Sequence, residues 1–150
     1  MSQREKGFTL IELLTVIAII SILIGIALPR FKGMQDESNI AKAKGELRTL
    51  QAAVESFYIH NNQTYPPNIT ALNTAVPSIV TATPVDPFRA AGGQYNYDSA
   101  GGTPPYRLYV IYSAGPAGDG VAVIGSDNRV AEANPASCIY VSNAGQDTQP

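Results

Sequence analysis

Glu12 is the residue whose chemistry most needs an explanation. It stands in Phe8–Leu28, a run of 21 residues in which it is the only charged side chain. A helix rises about 1.5 Å per residue, so this run is about 30 Å long, the hydrocarbon thickness of a bilayer. An acidic group at the centre of such a span costs roughly 3 kcal/mol on insertion scales, and less toward an interface. Glu12 therefore needs a partner, and no Lys, Arg or His lies between Phe8 and Leu28. The simplest partner is a backbone amine, exposed by a cut between Gly7 and Phe8. In a medium of low dielectric such a pair is a strong docking contact.

No other residues assemble into a reactive group by spacing. The one histidine, His60, has no metal-ligating residue four positions on. Ser113 sits in no Gly-x-Ser-x-Gly, Cys138 has no histidine near it in sequence, and Cys-x-x-Cys-His is absent. Gly115 to Gly120 is no phosphate loop, because no Lys-Ser/Thr follows it. Cys138 is the only cysteine and cannot close an internal disulfide; within Cys138-Ile139-Tyr140-Val141 it reads as a buried structural thiol. The eight tyrosines read as half-buried sheet packing. No enzyme activity is expected. Charged residues are 15% of the chain and the net charge is −2, so no nucleic-acid surface is expected either. Loss of residues 1–7 would remove Arg4, Glu5 and Lys6, leaving eight basic against eleven acidic side chains.

At 150 residues the chain suffices for one domain with a proper core. Residues 1–7 are short, polar and basic, and 8–28 form the apolar span. Pro29 lacks an N–H and crowds the carbonyl of Gly25, so the pair predicts a kink or an unwound section. The helical pattern then resumes over 29–60. Ile40, Ala43, Leu47, Leu50, Val54 and Phe57 fall at gaps of three and four, one stripe of an amphipathic helix. Lys42, Lys44, Glu46, Arg48 and Glu55 are assigned to the opposite face. His60-Asn61-Asn62 and Tyr65-Pro66-Pro67 end the helix.

Residues 61–150 then read as loop and sheet. Asn68-Ile69-Thr70 fits a glycosylation sequon but carries no weight beside the other features. A short helix is predicted near 70–75, in a loop punctuated by Pro77, Pro84 and Pro87. Strands are predicted at Tyr95–Tyr97, Tyr106–Tyr112, Val121–Ile124 and Ile139–Val141. Gly101-Gly102-Thr103-Pro104 and Gly115–Gly120 are the turns between them. A run of strands after one long helix argues for an α+β fold, with an antiparallel sheet packed on the helix stripe.

Lys6-Gly7, Phe8-Thr9-Leu10-Ile11-Glu12, the run to Ala27 and the break at Pro29 together resemble the N-terminus of type IV pilins and pseudopilins. The resemblance implies that residues 1–7 are a leader, removed between Gly7 and Phe8 by a prepilin peptidase that methylates Phe8. It implies that Glu12 meets the Phe8 amine of a neighbouring subunit during filament assembly. The chain's partners are then copies of itself, other pseudopilins or minor pilins, and an inner-membrane assembly platform. Two further readings compete. One is a secretory signal with Arg4 and Lys6 as its basic region and Gly25-Ile26-Ala27 as its cleavage site; the other is a plain membrane anchor for a periplasmic binding domain. Neither gives Glu12 a purpose.

The second half carries a looser resemblance. Tyr65-Pro66, Asp86-Pro87-Phe88, Tyr95-Asn96-Tyr97 and Ser113-Ala114-Gly115-Pro116-Ala117-Gly118 follow, in order, the pattern of the major pseudopilin of the type II secretion system. This implies a single-pass protein of the bacterial inner membrane with its head in the periplasm, in a filament that drives export of secreted proteins. The alternative within the family is an adhesive or motility pilin. The resemblance also implies calcium, for which Asp119 and Asp127 are the candidate ligands, with Ser126 and Asn128 beside the latter. The same residues read equally as turn formers. No other cofactor is expected. Many type IV pilins close a C-terminal loop with a cysteine pair, which this chain lacks.

Overall fold

The computed structural model describes residues 7–75, 79–89, 92–100, 104–135 and 137–146. Of residues 1–7, the expected leader, it describes Gly7 alone; Pro77 and Gly101–Thr103 also lie outside the described residues. The chain forms two compact units, one reaching to Glu37 and one beginning at Ser38.

The first unit is helical from Leu10, where α1 (Leu10–His60) begins. Its apolar side chains are exposed, from Phe8 at 84% through Leu28 at 63%. This is the one helix among the described residues long and apolar enough to cross a membrane. Thr15 donates its hydroxyl to the Ile11 carbonyl at 2.8 Å and Ser21 to that of Ile17 at 2.7 Å. Both hydroxyls are thereby satisfied within the helix. The expected unwound section at Gly25 and Pro29 is not formed, since the helix runs through Pro29 without interruption. Proline withholds one N–H, from the Gly25 carbonyl, while strong helix formers continue the ladder on either side.

In the second unit the stripe of α1 is buried, with Ala43, Leu47, Leu50, Ala53 and Val54 all at 8% exposure or less. Ile40 and Phe57 at its ends are half-buried. Glu46 and Glu55, assigned from spacing to the outer face, are also half-buried, because tyrosines of the sheet reach them. A short helix α2 (Ala71–Thr74) adds Leu72 to this core. Asn68 at its entry accepts from the Ala71 N–H at 3.0 Å and the Thr70 hydroxyl at 2.6 Å, so the sequon residues form a turn.

Six strands follow: β1 (Asn96–Ser99), β2 (Tyr109–Ser113), β3 (Val121–Ile124), β4 (Arg129–Ala133), β5 (Ile139–Ser142) and β6 (Gly145–Gln146). The fold is α+β, but the strands make two three-stranded sheets, ordered β1-β2-β5 and β3-β4-β6. The first is antiparallel, with Tyr97 opposite Ile111 and Ile111 opposite Val141. In the second, β3 and β4 are antiparallel and β4 and β6 are parallel. β4 and β6 are not visible in the sequence, since Arg, Ala, Glu and Gly have little strand preference.

β2 explains the layering. Tyr109 and Ile111 point into the core that contains Leu47, Leu50 and Val54, whereas Val110 points into a second core with Ala122 and Val130. Alternate residues of a strand face opposite sides, so a strand buried on both faces is the middle layer between helix and second sheet. Tyrosines bind this middle sheet to α1. Tyr95 donates to Glu46 at 2.6 Å, and Tyr109 and Tyr65 donate to Glu55 at 2.9 and 3.1 Å. The Tyr65 ring lies 4.5 Å from Tyr58 and 4.7 Å from Tyr109. Burial is the main cause that raises these phenols, with the carboxylate beside each adding to it; Tyr65 is pushed up to about 12.

Candidate functional site

The site is built from the first residues of α1. Thr9 precedes the helix and its carbonyl accepts the first helical bond, from the Leu13 N–H at 3.3 Å. The Glu12 carboxylate reaches back, and its Oε2 accepts from the Thr9 N–H at 2.9 Å and the Thr9 hydroxyl at 2.8 Å. Thr9 Oγ1 in turn accepts from the Glu12 N–H at 3.3 Å. This is a reciprocal capping box, which satisfies otherwise orphaned donors of the first turn. The signal for it, Thr-x-x-Glu ahead of an apolar run, stands in the sequence, and it adds Thr9 to the site residues.

The cap gives Glu12 a local role but does not neutralise it. Both bonds from Thr9 end on Oε2, and Oε1 accepts none among the described residues. The carboxylate lies in a shallow groove with Phe8, Ile11, Thr15 and Val16 around it. Thr15 is already bonded to its own backbone, so the groove offers Glu12 no cation. A helix N-terminus attracts an anion, which supports the carboxylate there without replacing an ionic partner. No atom of the described residues lies within 4 Å of where a Cβ on Gly7 would stand, so they leave room for a larger residue.

The head motifs singled out in the sequence turn out to support one another. Asp86, buried at 1% exposure, accepts from the Ser113 hydroxyl at 2.7 Å and from the Phe88 N–H at 3.0 Å. One bond thus ties the Asp86-Pro87-Phe88 turn to the Ser113–Gly118 loop. Gly115 has φ +68°, and a Cβ there would stand 1.6 Å from the Ser137 carbonyl oxygen, so only glycine fits. These are architectural residues. Cys138 is half-buried, and desolvation with Glu132 nearby pushes its thiol up to about 11, which suits a structural cysteine.

The two calcium candidates do not come together. Asn134 donates to Asp119 Oδ2 at 3.1 Å, and β4 ends at Ala133 opposite Val121. Asp127 lies at the other end of the β3–β4 hairpin, where its Oδ1 accepts from the Arg129 N–H at 3.2 Å. The strand between them is about 10 Å long, while ligands of one calcium lie within roughly 5 Å of each other. No group of three or more His, Cys, Asp or Glu suited to a metal occurs among the described residues. Asp119 and Asp127 therefore do not fit a shared cation, and they act as turn residues.

Comparison with known proteins bears on the same segments. The family described as the prokaryotic N-terminal methylation motif matches residues 2–28. The chain is 49% identical over 55 residues to the type IV major pilin protein PilA of Myxococcus xanthus, covering 37% of this chain and 25% of that protein. It is 36% identical over 77 residues to the type IV major pilin protein PilE1 of Neisseria gonorrhoeae, covering 51% of this chain and 46% of that one. With the capped, glutamate-bearing apolar helix and the α+β head, these matches make the chain similar to type IV pilins and pseudopilins, most specifically over its N-terminal helix. Over most of its length it is also similar to a type II secretion protein. It is 28% identical over 140 residues to the type II secretion system core protein G of Pseudomonas aeruginosa, covering 84% of this chain and 92% of that protein. No solved structure matches the chain with significance.

Proposed function

We propose that this protein is the structural subunit of a type II secretion pseudopilus, assembled from many copies through the N-terminal helix. The observation that carries this reading is Glu12: a carboxylate on an exposed apolar helix, capped at one oxygen and with no cation bonded to it among the described residues. A polymer of identical helices supplies that cation from the next subunit, as the amine of Phe8. The apolar segment loses little hydration in passing from lipid to a sheath of identical helices, so the ion pair sets the docking register. Similarity over most of the chain to core protein G favours a secretion filament over an adhesive or motility pilus.

On this reading a prepilin peptidase cuts between Gly7 and Phe8 and methylates Phe8. The mature subunit waits in the inner membrane with its head in the periplasm, and an assembly platform extracts it into the growing filament. Other pseudopilins join the filament, and secreted proteins are moved by its extension. The test is deletion of the chain in its native host. Loss of protein export with surface motility intact supports a secretion pseudopilus; loss of motility or adhesion with export intact assigns the chain to a pilus instead.

A further inference from the structure

The uninterrupted passage of α1 through Pro29 extends its apolar face beyond the membrane-length run. Phe31 and Met34 are 65% and 66% exposed and belong to the same helix as the exposed Ile20, Ile24 and Leu28. At about 100° per residue, Ile20, Ile24, Leu28 and Met34 all lie within about 60° of the line through Phe31. Arg30 and Lys32 then stand about 100° to either side of Phe31, one cation on each flank of the stripe. A break at Pro29 would have destroyed this register.

The depth of these residues follows from length. Phe8–Leu28 fills about 30 Å of hydrocarbon, and Arg30 to Met34 fall about 3–9 Å beyond its end. Headgroups add roughly 5–7 Å on each side of the core, so this turn lies in the phosphate layer. An aromatic ring at that level packs at the interface, and long cationic side chains extend along the helix to reach phosphates. Asp36 and Glu37 come a further turn or more outward, beyond that layer.

Resting on the membrane reading above, we propose that Arg30, Phe31 and Lys32 form a clamp for anionic phospholipid headgroups. The two cations take lipid phosphates on either side while Phe31 packs at the interface between them, holding the waiting subunit at a fixed depth in the head-side leaflet. Extraction into a filament would have to release these lipids.

The chain contains no tryptophan, so Phe31→Trp introduces a single reporter inside the clamp. The processed full-length variant is reconstituted in phosphatidylcholine vesicles containing increasing brominated phosphatidylglycerol, and flotation confirms insertion. Quenching then reads the affinity of the site for the anionic lipid relative to phosphatidylcholine. The preference should be several-fold and at most roughly 25-fold, about fivefold for each cation near the surface. It should fall to unity with Arg30→Gln and Lys32→Gln together, and shrink in high salt. A preference of unity in the parent, or one unchanged by the two glutamines, would overturn the clamp while leaving insertion standing. A chain that fails to float removes the membrane reading, and the clamp with it.

Discussion

Replacement of Glu12 separates three quantities that the proposed function joins on one side chain. The first is insertion: removing the carboxylate favours the membrane by at most roughly 3 kcal/mol, and by less here because Glu12 lies near the start of the run. The second is the cap. Oε2 receives two bonds from Thr9, so Glu12→Leu leaves the Thr9 N–H unpaired at a cost of about 1 kcal/mol to the first turn. The third is assembly. On the proposed function, the neighbour's Phe8 amine is then buried alone, which costs roughly 3–5 kcal/mol for each subunit added. That corresponds to a loss of roughly 150- to 5,000-fold in the elongation constant. Glu12→Gln isolates the third effect, because its amide oxygen still accepts from Thr9 while its charge is gone. Glutamine and leucine should therefore both abolish filaments, although both proteins are processed and membrane-bound. Glu12→Asp should be intermediate, since it keeps the charge on a shorter reach. The assay is N-terminal mass to establish Phe8 as the terminus, followed by a count of sheared filaments. Normal filament yield from Glu12→Gln would refute the ion pair. If leucine failed in that same experiment, the contribution of Glu12 would be its cap.

Gly7→Leu should block removal of residues 1–7. The position has open space among the described residues, so a full-length product by mass reports the processing enzyme's requirement, and a product beginning at Phe8 would contradict it. In alkali the head should hold its stability to about pH 9 and then lose it. Cys138 and Tyr65 are raised to about 11 and 12 in the fold, so the unfolded chain releases these protons first as pH rises. Each raised group contributes a fall of about 1.4 kcal/mol per pH unit above its unfolded pKa. Denaturant melts of the head from Ser38 onward, taken at successive pH values, check this; a flat profile to pH 12 would contradict it. Chelation should leave the melting temperature of that head unchanged, and Asp119→Ala with Asp127→Ala should not alter its response to calcium. A drop on chelation that the double variant abolishes would restore a shared site.

Much of this protein is local and therefore legible. The span, its lone carboxylate, the stripe from Ala43 to Val54 and the exposed Phe8 depend on composition and period alone, which neighbours in sequence determine. The Thr9–Glu12 cap is equally local and could have been read from its spacing. Other features were decided by residues brought together from far apart. Glu46 and Glu55 turned inward because Tyr95 and Tyr109 reach them across 49 and 54 residues, an outcome no helical wheel contains. β4 was recruited by pairing with β3 and by burial of Val130, against its own weak preference. The helix crossed Pro29 because one missing bond is small beside the turns on either side. Asp119 and Asp127, eight positions apart in sequence, were parted by the hairpin between them, because an extended strand carries its ends away from each other at about 3.3 Å per residue.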